Sequence, residues 1–126
     1  MPSPASRPVQ FIDARDLAAF VELAVTQQIA GVFNAVGPRE RFSLGELADT
    51  CVTAAAERGV VSSVEAVDAQ ALIAQGVEPW SDIPLWIEDP AFVGMFEADN
   101  RKAIAAGLQL RLPIETVRAL MNMKNF

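Results

Sequence analysis

The chain contains no histidine and no tyrosine, and Cys51 is its single cysteine. Without histidine there is no Ser-His-Asp or Cys-His nucleophile, no HExxH zinc site and no imidazole pH switch. Without tyrosine there is no phenolic acid or base. One thiol excludes an internal disulfide, a CxxC pair and a cysteine-rich zinc site, and it fits a reducing cytoplasm. Basic residues are few: Lys+Arg 10 against Asp+Glu 16 leave a net charge of -6. With no basic run, that balance argues against a nucleic-acid partner. No stretch approaches the roughly 18 uninterrupted apolar residues of a membrane span. The opening MPSPASRP also lacks the apolar core of a signal peptide.

What is present is enough for a core: 52% of the 126 residues are hydrophobic. Residues 1–7 read as a flexible, proline-rich arm and residues 8–126 as one domain. Residues 9–12 are a short predicted strand. Asp13 stands at an N-cap position, and Leu17, Phe20, Val21, Ala24 and Val25 continue at helical spacing over residues 14–28. Gly31 stops that helix, and residues 32–36 read as a second, mostly buried strand closed by Gly37-Pro38. Ser43 and Glu46 form an S-x-x-E capping box ahead of a helix to about Arg58, with Gly59 as its stop. Cys51 falls on the apolar face of that helix and reads as a small buried hydrophobe. Residues 60–67 suggest a strand, and Asp68 caps a helix over residues 69–75.

Between residues 77 and 95 the periodicity breaks. Pro79, Pro84 and Pro90 bar long regular elements there, which predicts a folded loop. A strand over residues 96–98, a helix over residues 100–106 capped by Asp99, and a last helix opening at Pro113 complete the chain. The alternation of strands and helices predicts an α/β fold of two or three layers: a short, partly parallel sheet with flanking helices.

Four segments carry a resemblance. RPVQFIDARDLA (7–18), GVFNAVG (31–37), FEADNRKAIAAGL (96–108) and PIETVR (113–118) resemble, in order, landmarks in the C-terminal portion of the NAD-dependent epimerase/dehydratase family, the extended short-chain dehydrogenases. A complete member opens with a glycine-rich turn that cradles the dinucleotide and carries a Tyr-x-x-x-Lys acid/base pair. Here the glycines at 31, 37, 45, 59, 76, 94 and 107 never take GxGxxG or GxxGxxG spacing. Lys102 and Lys124 have no tyrosine partner. The resemblance therefore implies a substrate-side segment with no cofactor site in this chain alone, NAD(P) belonging to a full-length relative.

Six residues are candidate substrate-binding positions, and none is a catalytic or metal-binding candidate. Asp13 and Arg15, with Asp16, form a charged cluster at a predicted strand end, where α/β sheets bind ligands; capping and helix-dipole roles are the rival reading. Family members acting on nucleotide sugars place an Arg just before this strand; Val9 holds that position here and Arg7 lies two residues earlier. Asn34 ends a strand before the glycine turn, with a hydrogen bond that ties the turn as the alternative role. Trp80 and Trp86 offer apolar walls in the residue 77–96 loop, among Glu78, Asp82, Glu88 and Asp89. Burial against helices is the other reading of both indoles.

The expected function is substrate binding within an epimerase/dehydratase-like reductase, with no turnover by this chain alone. A free-standing small-ligand or regulatory module, or one subunit of a split oxidoreductase, is the alternative, as is a Met1 that lies inside a longer coding sequence. A small-molecule substrate and either self-association or a Rossmann-type partner chain are the expected partners, because strands without their sheet expose an edge and an apolar face.

Overall fold

In the computed structural model, residues 1–92 and 94–123 are described. Lys124 and Val93 of the expected loop lie outside them. Among the described residues five helices form where the local signals put them. α1 (Ala14–Thr26) starts at Asp13, whose carboxylate accepts the Arg15 amide hydrogen at 2.9 Å. α2 (Leu44–Ala56) starts at the reciprocal box: Ser43 Oγ accepts from the Glu46 amide, and Glu46 accepts from the Ser43 amide. α3 (Ala69–Ala74) is capped by Asp68. α4 (Arg101–Ala105) is a short helix, and α5 (Pro113–Asn122) opens on proline. A 3-10 turn, Pro90–Phe92, lies in the loop before α4.

The expected sheet does not form. Among the described residues there is no strand, only four isolated bridges. Residues 9–12 and 32–36 are extended, but their pairing stops at single contacts. Phe11 and Gly37 exchange both backbone hydrogen bonds, and the next bridge is Pro8 with Ser43. Pro8 and Pro38 have no N–H to continue a ladder, and no further strand flanks either segment among the described residues. Residues 60–66 are exposed, and only Val67 bridges, to Pro2. Residues 96–98 pair with a side chain instead: the Gln10 amide donates to the Ala98 carbonyl and accepts from its N–H, both at 2.9 Å. An α/β fold with a parallel sheet is thus replaced by helices joined by extended segments.

Residues 1–7, read as a flexible arm, make regular contacts. Ser3 donates to the Val67 carbonyl, Val67 to Met1, and Gly45 to Ala5. Pro2 is buried.

Two apolar centres position the rest. Phe20, Ala103 and Leu108 form one, with Ile12, Leu23, Phe33 and Leu110 packed around them. Phe20 meets Phe33 edge to face at 5.8 Å, and the Lys102 ammonium sits 4.8 Å from the Phe33 centroid. Gly107 closes α4 at φ +109°, and a Cβ there would lie 2.6 Å from Leu23 Cδ2. Only glycine suits both demands. In the other centre α2 packs on α5, and the Arg118–Glu57 ion pair spans the two helices at their exposed side. Among the described residues no helix is long and apolar enough to cross a membrane.

Candidate functional site

The arm and the loop meet at Arg7. The backbone around it is fixed, because Leu44 donates to the Arg7 carbonyl and Val9 to Phe42. The Arg7 guanidinium donates to the Ser3 carbonyl through Nε and Nη2, and Nη2 also lies 2.6 Å from Glu88 Oε1. The same Glu88 oxygen accepts the Trp86 indole hydrogen at 2.5 Å. Trp86 is wholly buried, so its indole anchors the loop and Glu88 links that anchor to Arg7. Beside this chain of contacts is a cavity of about 360 Å³, walled by Pro4, Ile87, Phe92 and Phe96, with Arg7 and Glu88 at its polar edge. Apolar walls with one fixed cation–carboxylate pair are the kind of lining found in small-molecule sites. The cation and the indole share one Glu88 oxygen, which fixes the carboxylate at the edge of the cavity.

Asp13 and Arg15 belong to a different place. Arg15 binds Asp13 through Nε at 2.8 Å and Nη2 at 2.6 Å. Thr116 of α5 donates to Asp13 Oδ2, and Arg111 pairs with Asp16 at 2.6 Å. The Arg15 hydrogen bonds hold the Asp13 carboxyl far below the usual carboxylate range, against a burial that pushes it up. Asp13 and Asp16 are both buried, each facing a cation, so the four charges tie the start of α1 to the start of α5. Capping and fastening account for every one of their contacts. An apolar cleft of about 840 Å³ adjoins them, lined by Phe11, Leu47, Leu85, Leu120 and Met121. Cys51 also borders it, and burial pushes its thiol up, which disfavours the thiolate a nucleophile needs.

The remaining candidates separate. Asn34 is exposed and donates to the Asp99 carbonyl at 3.0 Å. The turn expected of it is held by Asn100, whose buried amide donates to the carbonyls of Val36 and Pro38. Trp80 is 52% exposed and contributes to none of these cavities. Trp86 is a core residue rather than a pocket wall. Sequence reasoning misses Asn100, Arg111 and Thr116 as partners. The sequence expectation puts Asn100 inside the helix that Asp99 caps, whereas Asn100 itself is the N-cap of α4.

Neither the Gly37 turn nor the start of α2 presents free amides to a dinucleotide. The Gly37 amide donates to Phe11, and Pro38 has none to offer. At the start of α2 the amides of Leu44, Gly45, Glu46 and Leu47 all donate within the chain. No open cradle of N–H groups is left there for a pyrophosphate. Among the described residues no group of three or more carboxylate or thiol ligands is placed to hold a metal ion. No family model, curated protein or solved structure matches the chain.

Proposed function

We propose that this chain is a ligand-binding segment of an epimerase/dehydratase-like reductase, one that selects a small substrate and leaves hydride and proton transfer to another polypeptide region. The observation that carries the reading is the Arg7–Glu88–Trp86 relay beside the cavity of about 360 Å³. It joins the first residue of the family-like RPVQFIDARDLA run to the loop expected to face the substrate. Its polar groups hold the arm, the loop and the buried indole in one fixed arrangement at the cavity edge. A cavity lined by the arm and the loop of the same chain also suits a free-standing binding module.

The test is amide chemical-shift mapping with two probes, NADH and a panel of small hydroxyketones and aromatic alcohols. The reading requires saturable shifts from a panel member that centre on Arg7, Glu88, Phe92 and Phe96 and vanish in Arg7→Ala. NADH should cause none. Saturable NADH binding, or NADH consumption by the purified chain, would overturn it. Shifts for no panel member, or shifts that Arg7→Ala leaves in place, would also count against it.

A further inference from the structure

The outer surface of α1 carries Ala14, Leu17, Ala18, Val21 and Val25, and all five are exposed. Their spacing sets them on one stripe running past Val21, turned away from Leu23 and Phe20 on the core side. Val25 is 73% exposed. A continuous apolar stripe of this kind is ordinarily covered.

Two charged residues border the stripe, Arg15 and Glu22, both on the same flank and two helical turns apart, about 10 Å along the axis. Arg15 engages Asp13 through Nε and Nη2, while its Nη1 makes no hydrogen bond among the described residues. It is therefore able to receive a second carboxylate. Consider a second α1 laid antiparallel about a two-fold axis level with Ala18 and Ala19. A two-fold perpendicular to the helices brings like flanks together, so each Arg15 faces the partner's Glu22. A parallel two-fold instead puts the two charged flanks on opposite sides of the seam, where neither charge meets its complement. In the antiparallel register Ala18 lies next to the axis and Ala14 opposite the far turn. Those small side chains let the backbones approach while Leu17 and Val21 fill the seam.

We infer that α1 is a homodimerisation helix, pairing antiparallel with α1 of a second copy through the Leu17–Val21 stripe and two Arg15–Glu22 bridges. The inference stands on this surface alone and does not depend on the ligand reading. One helix pair is a small interface, so the dimer dissociates in the micromolar range.

Sedimentation velocity over that range tests it, alongside cross-linking of Ala18→Cys in a Cys51→Ser background. Ala18→Cys should oxidise to a disulfide-linked dimer, whereas Gln70→Cys on exposed α3 should not. Val21→Asp, at an exposed position that leaves the core intact, should sediment as a monomer with an unchanged helical spectrum. Glu22→Arg should weaken the dimer by about tenfold, the order expected when two exposed ion pairs become two repulsions. A monomer throughout the range overturns the inference. So does a dimer indifferent to Val21→Asp, or a stripe that binds an added dinucleotide-binding chain without self-pairing.

Discussion

Thr116 donates its hydroxyl hydrogen to Asp13 Oδ2 at 2.8 Å, joining residues 103 positions apart. The contact makes Asp13 both the cap of one helix and the anchor of another. Because the Arg15 hydrogen bonds hold its folded carboxyl low, the unfolded chain binds a proton there more readily than the folded one. Its stabilisation is complete above the ordinary carboxylate value near 4 and is lost as the pH falls from there toward the depressed folded value. Acid unfolding followed by circular dichroism should therefore be flatter below pH ~4 in Asp13→Asn. At neutral pH that variant should lose about 1–3 kcal/mol, because its carboxamide keeps one acceptor oxygen and turns an NH2 toward donors that the second carboxylate oxygen had satisfied.

Gly107 gives a second expectation. Alanine at φ +109° is strained, and its Cβ would press on Leu23 Cδ2. Gly107→Ala should cost about 1–3 kcal/mol in chemical denaturation. Adding Leu23→Ala removes the clash but not the backbone strain, so it should not restore the wild-type midpoint.

The two tryptophans should be distinguishable in solution. Trp80 is half exposed and Trp86 fully enclosed, with its indole bonded to Glu88. Acrylamide should quench one emission component strongly and leave a blue-shifted one protected. Trp86→Phe should remove the protected component. Trp86→Ala should destabilise the fold by about 3–5 kcal/mol through the void it leaves.

The helices are legible because their signals are local. Ser43 and Glu46 satisfy each other's backbone within four residues, and Asp13 needs only Arg15 to act as a cap. The sheet is misread because alternation at residues 9–12 and an apolar run at residues 32–36, whose Val32 and Asn34 are in fact exposed, show that a segment suits a strand, not that a neighbouring strand exists to complete it. The same distance problem hides the partners of the candidate residues. Arg111 reaches Asp16 across 95 positions, and Asn100 reaches Val36 across 64. Trp80 and Trp86 stand six positions apart in one loop, alike in chemistry and opposite in burial. Only the folded chain separates them.

Gln10 leaves one more consequence. By meeting both the N–H and the carbonyl of Ala98, its carboxamide acts as a built-in plug on a stretch of extended backbone. An incoming strand finds the N–H of that residue already taken and its carbonyl already engaged, which hinders edge pairing at Ala98. Shortening that side chain through Gln10→Asn would pull the plug back by one methylene and bare a template for aggregation.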